Sequence, residues 1–238
     1  MVEAGTGSKK KAKAGPLGMN IEEYEKSMPK IRTSIEAEAA IAKYGHTPME
    51  KTSSERMLYA AMYGLINVLK FDESPQHQIT FVNNFGEGLL HYAAKGNQET
   101  MTAYLLLRGL DPNVENKFLE TPIFIAAEMG SINVLALLLD FNGTRVDKQD
   151  KFGDNIMHVA ARDGQHEVIS YLINKYGKRL FRVKNQQGKT PLQLAIENAQ
   201  TLAVQALREY DAPAAVGDRN KLLQDLAKKL IDEPPDYR

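Results

Sequence analysis

Five histidines and no cysteine bound the chemistry that this chain of 238 residues could carry out. Without cysteine there is no disulfide framework, thiolate metal site or thiol nucleophile, a composition that fits a reducing compartment. His158 and His166 lie on either side of a predicted turn, a separation that suits no pair of metal ligands. His46 and His77 fall in predicted loops with no serine or carboxylate companion. No Gly-rich phosphate loop, nucleophile elbow or pair of catalytic carboxylates occurs. The expectation is a protein that is not an enzyme and uses no cofactor, metal or small-molecule substrate.

The other concentrated chemistry is charge. Lys9, Lys10, Lys11 and Lys13 stand against Glu3 in the first nineteen residues, a net of +3 in a chain whose 30 basic and 30 acidic residues otherwise cancel. Such a tail can be a solvated arm, an import signal, or an attachment to an acidic protein surface. It lacks the arginines and interleaved aromatics of a nucleic-acid arm, so nucleic acid is not the expected partner. No apolar run reaches membrane-spanning length, the strongest being Val134–Leu139, and no signal-peptide core opens the chain. The reading is an intracellular soluble protein with no membrane partner, and Asn142-Gly143-Thr144 is taken as a turn rather than a glycosylation site.

Elements that could position a binding surface emerge from a repeat. Alanine pairs recur at Ala60-Ala61, Ala93-Ala94, Ala126-Ala127 and Ala160-Ala161, with Ala195-Ile196 as a fifth, at spacings of 33, 33, 34 and 35 residues. Aligned on them, the chain reads ERMLYAAMYG, GLLHYAAKGN, TPIFIAAEMG, NIMHVAARDG and TPLQLAIENA, each followed by a second apolar run. Two helix-sized patterns per fixed period specify a repeat architecture. Thr121, Asn155 and Thr190 are expected N-caps, with Pro122 and Pro191 at the first helical position. Gly64, Gly130 and Gly164, and Asn97 in their place in the second block, are expected to end the first helices in left-handed conformation. The alanines then sit mid-helix, where short side chains let the next repeat approach.

These blocks resemble the ankyrin repeat family, most closely in ETPIFIAAEMGSINVLALLLD and GKTPLQLA, over roughly residues 51–213. Gly88-Leu89 and Asn155-Ile156 depart from the family's Thr-Pro, and Leu119 from its finger glycine. The resemblance implies an all-α solenoid of helix-turn-helix units with short β-hairpin fingers. It also implies that His91 and His158 tie neighbouring backbone loops together. The expected organisation is a basic, flexible tail over 1–27, an N-terminal helix or cap over 28–50, five repeats over 51–213, and a C-terminal amphipathic helix and tail over 214–238. In the last segment Asp218 can cap a stripe of Leu222, Leu226 and Leu230.

Aligned fingers place Phe85, Phe118 and Phe152 at one repeat position, either as an exposed column or packed on adjacent hairpins. The family's groove positions hold Met62, Tyr63, Lys95, Gly96, Glu128, Met129, Arg162, Asp163, Glu197 and Asn198. Aromatic and methionine side chains beside arginine suit interface anchors. The expected function is protein binding through fingers and groove, as an adaptor or structural subunit with several partners in a large assembly, cytoskeletal or ciliary, in the cytoplasm. A soluble inhibitor of a single partner, and a nucleic-acid-associated protein using the lysine arm in the nucleus, stay open beside it.

Overall fold

The computed structural model describes residues 34–43, 53–72 and 79–211. The basic tail and the C-terminal leucine stripe lie outside these residues. So does most of the expected N-terminal helix, of which α1 (Ser34–Ala42) is described, with Ala37 and Ile41 buried. The chain divides into two compact units, Met1–Lys151 and Phe152–Arg238.

In the first unit α1 precedes three helix pairs: α2 (Ser53–Met62) with α3 (Ile66–Asp72), α4 (Leu89–Lys95) with α5 (Glu99–Leu107), and α6 (Pro122–Met129) with α7 (Ile132–Asp140). α4 packs between α2 and α6, and α5 packs on α7. The second unit holds α8 (Ile156–Arg162) with α9 (His166–Tyr176), a short α10 (Lys178–Phe181), and α11 (Pro191–Glu197) with α12 (Thr201–Asp211). There α8 packs on α11 and α9 on α12.

Every alanine of the four pairs, and Ala195 of the fifth motif, is fully buried. An alanine removes little apolar area from water, whereas each buried leucine or isoleucine is worth about 1.5–3 kcal/mol. Cohesion therefore comes from larger buried side chains, among them Leu89, Ile123, Phe124 and Ile156 on the first helices and Leu105, Leu135, Leu138, Val168, Ile169 and Leu172 on the second. The alanines set how closely the first helices approach.

The tenth residue of each motif is left-handed in all five repeats, including Asn97 at φ 51° and Ala199 at φ 55°, where no glycine is present. Cap chemistry is less uniform. The Asn155 side chain accepts from Met157 N–H and His158 N–H, both at 3.0 Å, and Thr190 Oγ1 accepts from Gln193 N–H at 3.4 Å. Thr121 does not cap as expected: its hydroxyl is buried without a hydrogen-bond partner, and Pro122 begins α6 instead. Proline at that position removes one of the unpaired amides of the helix start, and Phe124 N–H bonds the Thr121 backbone carbonyl at 2.9 Å.

No strand forms among the described residues, and the fingers are turns rather than extended hairpins. Three of the four are closed by an asparagine, and the other has Asp150 at that position. Asn83 Oδ1 accepts from Phe85 N–H (2.8 Å) and Glu87 N–H (2.9 Å), while Asn83 N–H donates to the Glu87 carbonyl (2.9 Å). Asn116 and Asn185 repeat this arrangement. The side-chain oxygen takes up amides that a strand ladder would otherwise use. Successive fingers are stitched by single backbone bonds: Lys117 N–H to the Phe85 carbonyl, Lys151 N–H to that of Phe118, and Gln186 N–H to that of Phe152, at 2.8, 2.9 and 3.1 Å.

The fourth repeat is longer than its neighbours because of α10. Gly177 turns the chain at φ 58°, and Phe181 meets Tyr210 edge-on at 5.9 Å. The 35-residue spacing carried this signal.

Candidate interaction surface

His91 is a structural tie. Its Nδ1 accepts from Gly88 N–H at 3.2 Å, so its Nε2 carries the proton and donates to the Glu120 carbonyl at 3.1 Å. One ring thereby joins the second repeat to the finger of the third. Burial lowers its pKa below the usual histidine range, against the opposing pull of the Glu120 carbonyl and Glu87. In the second unit His158 Nε2 likewise donates to the Lys189 carbonyl at 3.1 Å. Among the described residues no group of His, Asp or Glu side chains is arranged to hold a metal ion, and no helix is long and apolar enough to cross a membrane.

Among the described residues, the fingertips of the first unit carry the most exposed aromatic side chain, Phe85. Phe85 is 57% exposed and stacks on half-buried Phe118, with ring centroids 6.5 Å apart and planes inclined by 23°. The Lys151 ammonium stands 3.8 Å from the centre of the Phe118 ring. The two phenylalanines are thus both exposed and packed on each other, because the stitched backbone brings neighbouring tips within stacking distance.

In the groove of the same unit, Tyr63 stacks on Tyr59 at 6.5 Å and Tyr59 meets Tyr92 edge-on at 6.1 Å. The Tyr92 hydroxyl accepts from Asn83 Nδ2 at 3.2 Å. Lys95 lies 5.2 Å from the Tyr92 ring and pairs with Glu87 at 3.3 Å. Partial burial, and beyond it the neighbouring Tyr59, raises the Tyr63 pKa. Met62 and Glu128 are half-buried and Met129 is 43% exposed. Gly96 is set by space instead: a Cβ there would lie 1.8 Å from the Met62 carbonyl oxygen.

In the second unit Phe152 is half exposed. Arg162 pairs with Asp163 at 2.9 Å and lies 3.8 Å from buried Asp154. Glu197 pairs with Lys189 at 2.6 Å, and Asn198 Nδ2 donates to the Leu194 carbonyl at 2.9 Å.

Three features of the first unit escaped the sequence reading. Tyr59 and Tyr92 occupy the position before the alanine pair, where later repeats hold buried Ile125 and Val159. That contrast was the available signal. Leu119, noted only as a departure, holds φ 63° with 45% of its surface exposed. Lys117 lies beside it, also exposed. A separate polar cleft of about 540 Å³ lies among Asp111, Asn113, Glu115, Gly143, Arg145 and Lys148. It is bridged internally, since Asn113 bonds Gly143 and Arg145 and Lys148 pairs with Glu115, so it offers less to a partner than the fingertips.

The repeat geometry agrees with comparisons to known proteins. Residues 57–150 and 135–218 match a family model described as ankyrin repeats (3 copies). Rabankyrin-5 of Mus musculus is 30% identical over 145 residues, which cover 56% of this chain and 12% of that protein. The probable 26S proteasome regulatory subunit p28 of Saccharomyces cerevisiae is 26% identical over 132 residues, 55% of this chain and 58% of its own. Cyclin-dependent kinase inhibitor 2A of Monodelphis domestica is 34% identical over 125 residues, 52% and 70% of the two chains. The matches thus take in less than two thirds of the first two relatives. With five helix pairs, left-handed helix ends and stitched fingers alongside the family match, the chain belongs to the ankyrin repeat family.

Proposed function

We propose that this chain is a non-enzymatic protein-binding module, an adaptor or structural subunit that engages protein partners through its fingertips and groove. The observation that carries this reading is the stacked pair of Phe85 and Phe118 with Lys151 against it, left in contact with water. Exposed aromatics clustered at one edge gain more from a partner than from solvent. The lysine tail favours an acidic-surfaced assembly, cytoskeletal or ciliary, within the cytoplasm. A second reading, an inhibitor of one soluble partner, draws on the likeness to a chain named as a kinase inhibitor, of which 70% is covered.

Proximity labelling in cells, followed by affinity measurement on the recovered partner, tests the proposal. Phe118→Ala is the diagnostic variant. Loss of its stack with Phe85 should cost the fold about 1 kcal/mol, and loss of a central aromatic anchor should cost binding about 2 kcal/mol. A variant that melts earlier yet binds its partner as tightly as the parent would make the phenylalanines packing groups. The binding surface would then move to the groove around Met129.

A further inference from the structure

Leu119 is the residue least explained by folding. It sits at the finger position where the other repeats have Gly86, Gly153 and Gly188, all with positive φ. A side chain in this conformation crowds its own backbone, and leucine has no polar group with which to compensate. Space is also short at Gly86 and Gly153, though open at Gly188. A Cβ on Gly86 would lie 3.0 Å from Lys117 N of the next finger, and one on Gly153 would lie 2.9 Å from Gln186 N. Leu119 nevertheless keeps φ 63°, and it is 45% exposed, so core burial does not repay the strain.

Its surroundings define a partner. Leu119 follows Phe118 directly, and Phe85 stacks on Phe118. Lys117 is exposed and makes no ion pair among the described residues, while the Lys151 ammonium rests on the Phe118 ring. An apolar strip flanked by two cations is complementary to apolar side chains interspersed with carboxylates. The spacing adds a second constraint. The two rings repeat at 6.5 Å, and same-side residues of an extended chain repeat at about 6.6 Å. A helical ligand, whose same-face residues four apart advance about 6.0 Å, matches this interval less well.

We propose that the fingertip edge formed by Phe85, Lys117, Phe118, Leu119 and Lys151 binds an extended acidic segment of a partner protein. Alternate apolar side chains of that segment meet the rings and Leu119, and its carboxylates meet the two lysines. This rests on the protein-binding reading above and names the chemistry of the partner at that surface.

The test is selection of a phage-displayed library of random linear peptides on the full chain. Recovered peptides are then titrated against the parent, Leu119→Gly, Leu119→Asn and Lys117→Glu. The expected result is enrichment of sequences that alternate acidic with aromatic or aliphatic residues and bind more weakly as salt is added. Each variant should lower affinity on the order of tenfold, while both Leu119 variants melt at or above the parent temperature because glycine and asparagine accept the left-handed backbone. Loss of stability in the Leu119 variants with affinity unchanged would overturn the inference. So would enrichment of basic peptides, or of peptides indifferent to all three variants. If such peptides lose affinity on Met129→Ala, protein binding stands and the fingertip assignment alone fails. Failure to enrich any peptide would count against both.

Discussion

Gly96→Ala is the sharpest test of how closely the first two repeats approach. The added methyl would lie 1.8 Å from the Met62 carbonyl oxygen, 2.8 Å from its carbon and 3.2 Å from its Cα. All three are backbone atoms, so no rotamer change relieves the contact. The ends of α2 and α4 would have to part by roughly 1.5 Å to restore van der Waals separation. Overpacking of this kind costs about 1–3 kcal/mol, and a rigid neighbour places it near 3. Alanine returns at most about 1 kcal/mol over glycine in a helix interior, and less at this C-cap with φ −88° and ψ 1°. The net expectation is a loss of about 2 kcal/mol, or about 4–8 °C in melting temperature for a domain of this size. Because repeats couple mainly to their neighbours, amides of α2 and α4 should lose hydrogen-exchange protection before those of α7. A melting temperature within a degree of the parent, with protection of α2 unchanged, would refute the close approach.

Three further outcomes follow from the same packing. Gly88→Ser places a hydroxyl at the cap of α4, where the new Cβ meets the Phe81 carbonyl at an ordinary 3.4 Å; denaturant titration should show a small gain of about 0.2–0.4 kcal/mol, since glycine is itself a tolerated cap. His91 is held neutral by burial, so the unfolded chain takes up its proton more readily than the folded one. Its contribution is complete above the unfolded pKa of about 6.5 and is lost as pH falls below it; melting curves should decline over that range, and less steeply in His91→Gln. Ala127→Leu would force side-chain volume into a fully buried site between first helices, and its denaturation midpoint should drop by the equivalent of about 1–3 kcal/mol.

The repeat was legible because each of its requirements falls on few residue types. A fully buried contact between helices admits alanine, and a left-handed helix end admits glycine or asparagine. Repeated copies of such constraints outweigh local ambiguity, although the left-handed Ala199 of the fifth repeat was not foreseen, alanine being a poor residue for that conformation. Gly96 was legible as a position but not in its role. It lies at φ −88°, so nothing conformational demands glycine, and only the nearness of Met62 does. Distances between backbones leave no mark in a single sequence unless a small residue is recognised as the cause. The finger turns were misjudged for a related reason. The asparagine four residues ahead of Glu87, Glu120 and Lys189 was visible, but whether it serves a turn or precedes a strand depends on where its oxygen points.

Departures from the repeat separate into two kinds once conformation is known, and the separation bears on where function resides. Asn97 departs from glycine yet accepts the left-handed backbone, and Asn155 departs from Thr-Pro yet caps its helix with two hydrogen bonds. Each substitution is matched by a physical compensation inside the fold. Tyr59 and Tyr92 replace buried aliphatics with larger rings that reach towards the groove and one another. Leu119 has neither compensation: its conformation is costly and nearly half of its surface remains in water. In a solenoid every repeat solves the same packing problem, so a residue that solves it worse than its counterparts must be weighed against something outside the chain. By that criterion the edge between the second and third fingers, rather than the better-matched charges of the second unit, is where a partner's contribution should be sought first.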